Sequence, residues 1–593
     1  MKTINHYLSK VLLGASMLAM ILFAYSCSQE PDLEADNLTA IQGKSKNMGL
    51  QILAEGAALK SANGIDIGPD GYLYIANVLG GEIVKMDKNS GEILERITDG
   101  VQSPDDLVFG PDESLYWTDI LTGEVGRRTP GGMVTKQPMN MPENALPGVN
   151  PIAFNNEGRL FVALDFLGDG LYEFNPNLAT PPRPIIQASE ANPFPLGFFN
   201  SFDFGPDDRL YGPLFAANLV IAVDVGAPGD LPLTGSLQDG FGGAVEILAG
   251  FGGEFTNPVA AKFGPDGLLY VLDQSSKLFT LDVESGDLTV ILPDLDPAMD
   301  NMVFDEDGTL YLTNANEGWV AKLKPGGQLQ EISPGGMVSP QGVAVIGGSV
   351  FVGDQFSMRA FNRANGKQKN TYKSELVPVP GTPSLISPMN LSADGNNVMI
   401  ASWFSDAVQV FDPRTEKVLE EYSISVPIDA VRFKDDIIVS ALGEGGVIFA
   451  SDKSMILEID GANVFAPGGL VTDGETLWVA DWGSGIIWEI NFDGKSPRAE
   501  VLIPPGVLSN PEGLALDEKG RLLVVDTGTS SLLRIDLKDN NAVTTVADNL
   551  KLGAPALPGF PPTFTFDGVD VTPSGDIYLS GAGANVLYRI PKN

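Results

Sequence analysis

One short unit recurs along almost the whole chain, and it constrains the fold more than any other feature. The copy at residues 510–537, NPEGLALDEKGRLLVVDTGTSSLLRIDL, contains three strand-like runs, GLAL, RLLVV and LLRID, separated by a turn and a Thr/Gly/Ser loop. Apolar and β-branched residues favour strands, while Gly, Asp and Ser favour turns. A fourth run, such as GEILERI or GDLTVIL, ends most copies. The unit therefore predicts a four-stranded antiparallel meander.

Twelve copies of the unit follow one another at spacings of about 40 to 60 residues. Each copy is indexed by the residue five places before the turn that joins its first two strands. The indexed residues are Asn63, Asp105, Asn150, Asn200, Val259, Asp300, Gln341, Ser387, Asp429, Gly468, Glu512 and Asp567. Four antiparallel strands in each repeat of this length are typical of a β-propeller blade. The predicted fold class is all-β, with tandem β-propellers.

Twelve blades exceed the roughly 4 to 8 that one propeller ring usually holds, so the blades must divide between rings. A strand-like run at 49–55 precedes the first copy, and the last copy ends after its third strand. If each ring begins with its own outer strand, two six-bladed rings of four-stranded antiparallel blades follow, over residues 49–324 and 325–593. The strand at 328–332 then closes the twelfth blade. A division into five and seven blades is the alternative.

The Asp-Gly pairs between the first two strands of many copies have two interpretations, calcium loops and tight turns. In GPDG, Pro presets φ, Asp hydrogen-bonds to nearby backbone and Gly adopts positive φ. No copy continues with the ligand spacing of an EF-hand. We therefore interpret these pairs as turns.

The N-terminus has the features of a lipoprotein export signal. Residues 1–26 contain two Lys and then an apolar run, which is typical of a secretory signal and too short for a membrane span. Cys27, the only cysteine, stands at the expected cleavage point and is predicted to be acylated; cleavage that leaves a free thiol is the alternative. The acidic tether at 27–48 resembles the export signal of surface lipoproteins in Bacteroidota-type bacteria. We expect an outer membrane lipoprotein that faces the cell exterior and contacts the membrane only through its lipid anchor.

Charge and histidine content exclude several classes of function. A formal net charge of −39 argues against nucleic acid or an anionic lipid surface as a partner. The only histidine, His6, lies in the predicted signal, so the mature chain cannot form a Ser-His-Asp triad, a Cys-His pair or a His-ligated zinc site. Carboxylates, amides, Tyr, Lys, Arg or a hard metal must carry any chemistry. No haem, flavin or nucleotide cofactor is expected.

The propeller register places the indexed residues around the mouth of each central channel. The loop before the first strand of a blade and the loop after the second strand share one face. Ring one contributes Asn63, Asp105, Asn150, Asn200 and Asp300, and the second-ring candidates are Asp429, Glu512 and Asp567. Converging carboxylates repel one another unless something is bound, and oxygen ligands suit Ca²⁺ or Mg²⁺. The alternative is that these residues only satisfy turns at strand ends.

A second polar set follows the second strands on the same face. Its members are Asn77, Asp119, Asp165, Asp273, Asn314, Asp354, Asp481 and Asp526. Individually, these residues are expected to satisfy the backbone of turns. Neighbouring aromatic residues are predicted to contact a ligand, with packing between blades as the alternative: Phe166, Phe356, Trp403 and Trp482.

The repeats resemble the senescence marker protein/gluconolactonase (regucalcin-like) superfamily, and copies such as NPEGLALDEKGRLLVVD resemble NHL repeats. The stretch Ser-Ala-Asn63-Gly-Ile-Asp looks like the family's Asn motif, and Pro-Asp105-Asp looks like its Asp motif. The resemblance implies a six-bladed propeller that holds one divalent ion, with the Asp also acting as catalytic base. The family's Glu is expected two blades beyond that Asp, where this chain has Asn200. In ring two, Phe-Asp567-Gly-Val-Asp resembles the Asp motif, but the preceding blade offers Glu512 in place of Asn.

These observations support two main functions, and whether the chain is an enzyme stays open. An anchored double propeller can bind an extracellular small molecule, glycan or surface protein on an acidic and aromatic face. The alternative is a divalent-metal-dependent lactone or ester hydrolase, in which Asp105 or Asp300 activates water. Asn63, Asn150 and Asn200 would then orient the metal and substrate. A third interpretation is a structural scaffold within a surface complex.

Overall fold

A computed structural model describes residues 49–139, 147–165, 168–226, 231–275, 277–374, 384–492, 497–553 and 565–592. These residues form 48 strands in twelve four-stranded sheets. Three short 3-10 segments accompany them, Val78–Gly80, Gly240–Gly243 and Leu442–Glu444. None of the helices in these ranges is long and apolar enough to cross a membrane. The chain is an all-β protein built from propeller blades, as the repeats predict.

Two compact units divide the chain. Unit 1 spans Ala57–Gly336, whereas unit 2 combines Met337–Asn593 with the segment that ends at Gly56. Six of the sheets belong to each unit. Within each unit, the first strand of every sheet packs against the first strands of the two neighbouring sheets, and the last sheet packs against the first. Each unit is therefore a closed ring of six blades.

In unit 1, each blade consists of four strands that are consecutive in the chain and hydrogen-bonded in that order. The first strand of the chain, β1 (Gln51–Glu55), belongs to unit 2. Blade 1 is β2 (Ala62–Ile67), β3 (Leu73–Asn77), β4 (Glu82–Met86) and β5 (Ile93–Ile97); blade 2 is β6 (Pro104–Phe109), β7 (Leu115–Asp119), β8 (Glu124–Arg128) and β9 (Val134–Pro138); blade 3 is β10 (Val149–Phe154), β11 (Leu160–Leu164), β12 (Gly170–Phe174) and β13 (Arg183–Gln187). Blade 4 is β14 (Asp203–Phe204), β15 (Leu210–Leu214), β16 (Leu219–Val223) and β17 (Val245–Ala249); blade 5 is β18 (Pro258–Phe263), β19 (Leu269–Asp273), β20 (Lys277–Leu281) and β21 (Leu288–Leu292); blade 6 is β22 (Met299–Phe304), β23 (Leu310–Asn314), β24 (Val320–Leu323) and β25 (Leu329–Ser333).

Unit 2 repeats this order, except that β1 is the fourth strand of its last blade. Blade 7 is β26 (Pro340–Ile346), β27 (Ser349–Asp354), β28 (Ser357–Asn362) and β29 (Gln368–Lys373); blade 8 is β30 (Asn390–Asp394), β31 (Asn397–Ser402), β32 (Ala407–Asp412) and β33 (Lys417–Ser423); blade 9 is β34 (Pro427–Phe433), β35 (Asp436–Ala441), β36 (Gly446–Phe449) and β37 (Met455–Glu458). Blade 10 is β38 (Pro467–Thr472), β39 (Thr476–Asp481), β40 (Ile486–Asn491) and β41 (Arg498–Ile503); blade 11 is β42 (Pro511–Leu516), β43 (Leu522–Asp526), β44 (Ser531–Asp536) and β45 (Ala542–Ala547). Blade 12 is β46 (Val569–Val571), β47 (Ile577–Gly581) and β48 (Val586–Ile590), together with β1.

The Asp-Gly pairs have the geometry of tight turns. In blade 1, the Gly68 N–H donates to the Tyr72 carbonyl at 2.9 Å, and Gly71 has a φ of 79°. Asp70 Oδ1 accepts the Tyr72 N–H at 3.3 Å, and Asp70 Oδ2 accepts the Tyr74 hydroxyl at 3.0 Å. The Asp carboxylate is therefore used within its own turn.

Aromatic pairs join neighbouring blades of unit 1. Tyr74 in β3 packs edge-on against Phe109 of the next blade, with ring centroids 4.8 Å apart. Equivalent pairs recur in three other places, Tyr116–Phe154, Tyr211–Phe263 and Tyr270–Phe304. Such pairs contribute about 0.5–1.5 kcal/mol beyond the area they bury. This packing explains why Tyr recurs as the second residue of the second strand.

The closing strands differ from the sequence prediction. β1 pairs with β48 of blade 12, with Gln51 opposite Arg589, and β25 pairs with β24 inside blade 6. The predicted boundary between 324 and 325 thus falls within a blade, and unit 1 continues to Gly336. Blade 12 ends at its third strand and leaves an open edge, which the strand from the other end of the chain covers. A strand's own residues do not specify which distant edge it will cover, so the sequence could not assign these partners.

Candidate functional site

The channel mouth of unit 1 brings together the polar residues predicted for ring one. Asn63, Asp105, Asn150 and Asp300 each occupy the second position of the innermost strand of their blade, and Asn200 lies just before β14. Asn63 Nδ2 donates to Asp105 Oδ1 at 3.2 Å, and Asn150 Nδ2 donates to Asn200 Oδ1 at 3.3 Å. The common register of the inner strands brings these side chains together.

Asp105 and Asp300 are poorly compensated carboxylates. Asp105 is buried and accepts one hydrogen bond, from Asn63, whereas the Asp300 carboxylate accepts none from the described residues. Burial, and then the charge of Asp300, raise the pKa of Asp105 well above its usual range. Burial and the charge of Asp106 raise the pKa of Asp300 to about 8. A cation at the mouth would stabilise both carboxylates in their charged form.

Asp165, the residue after β11, belongs to the same mouth. Its side chain is 3% exposed, and its Oδ2 accepts Asn150 Nδ2 at 3.2 Å. No described residue donates a hydrogen bond to its Oδ1. Burial, and then the charge of Asp169, raise the pKa of Asp165 well above its usual range, and the charge of Asp165 in turn raises the pKa of Asp105. The sequence assigned Asp165 to the strand-end set and did not place it in this site.

A hydrogen-bonded layer fills the level beneath the mouth. Asp106 Oδ1 accepts Asn301 Nδ2 at 3.0 Å, and Ser201 Oγ donates to Asn301 Oδ1 at 3.0 Å. All three side chains are buried. Sequence reasoning missed this layer, although Asp106 and Asn301 directly follow Asp105 and Asp300. Two consecutive polar residues at the start of an inner strand were the available signal.

One level deeper, Lys262 balances two further acids. Its charge lowers the pKa of Asp66 and of Asp203, although burial dominates and raises the pKa of Asp66 to about 6. Asp66 Oδ2 accepts the Phe109 N–H of the next blade at 2.9 Å, and Asp203 Oδ2 accepts the Phe263 N–H at 3.1 Å. These acids connect neighbouring blades and have the backbone partners that the mouth acids lack.

The unit 1 mouth has the chemistry that a hard divalent cation prefers, namely carboxylate and amide oxygens. Asn63 and Asn150 direct their amide nitrogens toward neighbouring side chains, and their amide oxygens accept no hydrogen bond from the described residues. Within the described ranges, no three Asp, Glu, His or Cys side chains lie close enough together to hold an ion. Amide oxygens or water would therefore have to complete the coordination of an ion at this mouth.

Two second-ring candidates have a different role from the unit 1 acids. Glu512 and Asp567 are fully buried at the mouth of unit 2. The Asp567 carboxylate accepts the N–H groups of Gly553 at 2.5 Å and Ala582 at 2.9 Å. Glu512 accepts the Thr527 hydroxyl at 2.9 Å and the Asp567 N–H at 2.6 Å. Both carboxylates hold the surrounding loops in place.

The third second-ring candidate, Asp429, lies one position deeper than the register predicts. Its N–H donates to Ser440 Oγ at 3.1 Å, as the Asp106 N–H of unit 1 donates to Thr118 Oγ1 at 3.0 Å. Ile428 therefore occupies the mouth position in blade 9. The turn between β34 and β35 is only two residues long, so counting back five places from the turn gives the wrong level.

Most acids that follow the second strands cap the entry loop of their own blade. Asp119 Oδ1, for example, accepts the N–H groups of Gln102 and Ser103. Equivalent caps in unit 2 are Asp354 with Val338 and Ser339, Asp481 with Phe465 and Ala466, and Asp526 with Ser509 and Asn510. For these acids the structure shows turn-satisfying contacts.

Three of the four predicted aromatic contacts lie in unit 2, away from the unit 1 acids in the chain. Phe356 and Trp403 each pack against Phe404 with centroids 6.1 Å apart, and Phe404 is 44% exposed. Trp482 is buried, and its Nε1 donates to no described residue. Phe166 lies outside the described residues. The acids at the unit 1 mouth and the described members of the predicted aromatic set thus belong to different units.

The channel of unit 2 contains a cavity of about 320 Å³. Gly469 and Gly568 stand at the level that Asp106 occupies in unit 1. A Cβ atom at Gly469 would lie 2.0 Å from the Glu512 carbonyl oxygen, and one at Gly568 would lie 2.6 Å from the Val343 nitrogen. The inner strands approach too closely here for a side chain, so backbone atoms line this part of the channel.

Comparison with known proteins identifies propeller neighbours at low similarity. No family model and no curated protein sequence matches the chain. The chain is similar to a virginiamycin B lyase from Staphylococcus aureus, at 15% identity and a TM-score of 0.35, over 51% of this chain and 94% of that one. It is similar to a proposed gluconolactonase, at 14% identity and a TM-score of 0.35, over 48% and 93%. The extracellular domain of a proposed hybrid two-component system from B. thetaiotaomicron matches at 11% identity and a TM-score of 0.32, over 92% and 83%. None of these values carries an activity over to this chain.

Proposed function

We propose that this protein is a surface-anchored double β-propeller that binds an extracellular ligand at the channel mouth of unit 1, through a Ca²⁺ or Mg²⁺ ion. The observation that carries the proposal is the pair Asp105 and Asp300. Among the described residues, Asp105 accepts one hydrogen bond, from Asn63, and the Asp300 carboxylate accepts none, while desolvation raises the pKa of both. Two such groups are stable in their charged form only beside a cation.

The ligand class follows from the surroundings of the mouth. The hydrogen-bonded layer of Asp106, Ser201 and Asn301 fills the level beneath it, so a ligand approaches from the loop face and does not pass along the axis. An ion held there recruits oxygen-rich groups, such as the hydroxyls or carboxylates of an extracellular small molecule, a glycan or a surface protein.

The anchor is proposed from the N-terminal signal, which lies outside the described residues. Acylation of Cys27 would place the protein on the outer membrane, with both propellers facing the exterior. Fatty-acid labelling of the wild type in cells tests this, and we expect the label to disappear in Cys27→Ser. A wild-type chain that takes up no label would refute the anchor.

Hydrolysis of a lactone or ester at the same mouth is the second candidate. The Asp300 carboxylate, which accepts no hydrogen bond from the described residues, favours it, because a carboxylate without such a partner beside a bound ion can act as a general base. A bound ion would supply polarisation of the substrate carbonyl. Asp105 or Asp300 would take a proton from the attacking water, while Asn63, Asn150 and Asn200 would orient the substrate.

Calorimetric titration of the full chain with Ca²⁺ and with Mg²⁺, after removal of metal by a chelator, tests the proposal. We expect saturable binding by the wild type, loss of binding in Asp105→Ala, and unchanged binding in Glu475→Gln, which removes an exposed acid of unit 2. Binding that survives in Asp105→Ala would exclude this mouth as the site. Hydrolysis across a lactone panel that disappears with Asp105→Ala would favour the second candidate.

A further inference from the structure

Asp165 breaks a pattern that the other second-strand acids share. Asp273, at the same place in blade 5 of unit 1, accepts the Thr256 N–H with Oδ2 at 3.1 Å and the Lys277 N–H with Oδ1 at 3.2 Å. Both of its oxygens therefore satisfy backbone groups of its own blade. Asp165 accepts no backbone N–H among the described residues.

The capping task near Asp165 is carried out by another residue. Asp169, four residues further along, accepts the N–H groups of Leu196, Gly197 and Phe198 at 2.7 to 3.0 Å. The Asp165 carboxylate is thus not needed to hold this loop. Burying a carboxylate with one oxygen unpaired is costly, so its position at the mouth requires another explanation.

The contact between Asp165 and Asn150 supplies that explanation. Asn150 Nδ2 donates to Asp165 Oδ2 at 3.2 Å and to Asn200 Oδ1 at 3.3 Å. These two bonds occupy both hydrogens of the amide nitrogen and fix the orientation of the amide. The Asn150 oxygen therefore remains available to an ion or a ligand.

We propose that Asp165 is a positioning residue of the unit 1 cation site, which orients the Asn150 amide and supplies the negative charge that Asn200 lacks. This inference rests on the proposed cation binding. Asp165 acts through Asn150, because its Oδ2 accepts the Asn150 amide nitrogen at 3.2 Å. Its role corresponds to that of the outer carboxylates that orient metal ligands elsewhere.

Titration of the full chain with Ca²⁺ measures the effect of Asp165→Asn, which keeps the shape of the side chain and removes its charge. We expect the dissociation constant to rise about 10- to 100-fold. Asp273→Asn is the matched control: it should lower the melting temperature, because that acid caps backbone, and leave the dissociation constant unchanged.

Two further variants separate the two parts of the role. Asp165→Asn combined with Asn200→Asp returns a carboxylate to the mouth, and we expect the affinity to recover to within about threefold of the wild type. Asn150→Ala removes the amide that Asp165 orients, so adding Asp165→Asn to it should change the affinity much less than Asp165→Asn does alone.

The outcomes distinguish this inference from the proposed function. If the wild type binds neither Ca²⁺ nor Mg²⁺, the cation site itself is refuted and the role of Asp165 with it. If the wild type binds and Asp165→Asn binds equally well, only the role of Asp165 is overturned. No recovery in the double variant with Asn200→Asp would overturn the assignment of the missing charge. Should Asp165→Asn fail to fold by circular dichroism, full Ca²⁺ affinity in Asn150→Ala would overturn the positioning role.

Discussion

The two channel mouths use the same kind of residue for opposite purposes. In unit 2, Asp567 accepts two backbone N–H groups, and Glu512 accepts a hydroxyl and a backbone N–H. In unit 1, Asp105 and Asp300 together accept a single hydrogen bond from the residues that the structure describes. An acid at this register is structural when loop backbone reaches it, whereas no backbone N–H of the described residues reaches Asp105 or Asp300.

The levels beneath the mouths differ as well. Unit 1 fills this level with Asp106, Ser201 and Asn301, whereas unit 2 has glycines such as Gly469 and Gly568 around a cavity of about 320 Å³. The glycines let neighbouring inner strands approach closely. In unit 1 the charge of Asp106 at this level helps to raise the pKa of Asp300. In unit 2 the acid at this level is Asp429, whose pKa burial raises to about 7.

The largest predicted effect is the loss of stability when the structural acid Asp567 is removed. Asp567→Ala removes the carboxylate that accepts two buried N–H groups, at about 1–3 kcal/mol for each lost hydrogen bond, so we expect unit 2 to lose about 2–4 kcal/mol of stability. Hydrogen exchange followed by mass spectrometry, read on the amides of β46 and β47, measures this change locally. The comparison variant is Asp300→Ala, which removes no side-chain hydrogen bond to a described residue and should leave exchange in unit 1 within about 0.5 kcal/mol of the wild type. Equal losses in both variants would contradict the distinction between the mouths.

In unit 1, replacing an acid is expected to increase stability, by a smaller amount. Asp105→Asn keeps an acceptor for Asn63 and removes a buried, repelled charge. In the presence of a chelator it should therefore stabilise unit 1 by about 1 kcal/mol at neutral pH. Hydrogen exchange in β6 and β22 measures it, and destabilisation there would show that the Asp105 charge is compensated within the fold.

The stability of the wild type and that of Asp105→Asn should also depend differently on pH. Because the pKa of Asp105 and Asp300 is raised in the folded state, the folded chain binds more protons than the unfolded one, and their contribution to stability falls as pH rises from about 4 toward 8. The free energy of unfolding that Asp105→Asn gains over the wild type should be small near pH 4 and increase toward pH 8. A constant difference across this range would contradict the raised pKa.

The fold was largely predictable because its signals are local. Alternating strand and turn residues define each blade, and the turn register gave Asn63, Asp105, Asn150 and Asp300 equivalent positions, which in the structure are the second positions of their inner strands. The same counting failed at Asp429, where a two-residue turn shifts the level by one. It also failed for β1, whose partner β48 lies at the other end of the chain.

By itself, the sequence determined the twelve blades, the absence of histidine after residue 6, and the residue types that line each mouth. Only the tertiary structure decided which acids are used by the fold. Asp567 and Asp105 look alike in sequence, yet backbone N–H groups of the loops before and after its own blade's strands reach Asp567, and none of the described residues donates a backbone N–H to Asp105. The presence of a partner depends on where other segments fold, and strand periodicity carries no information about that.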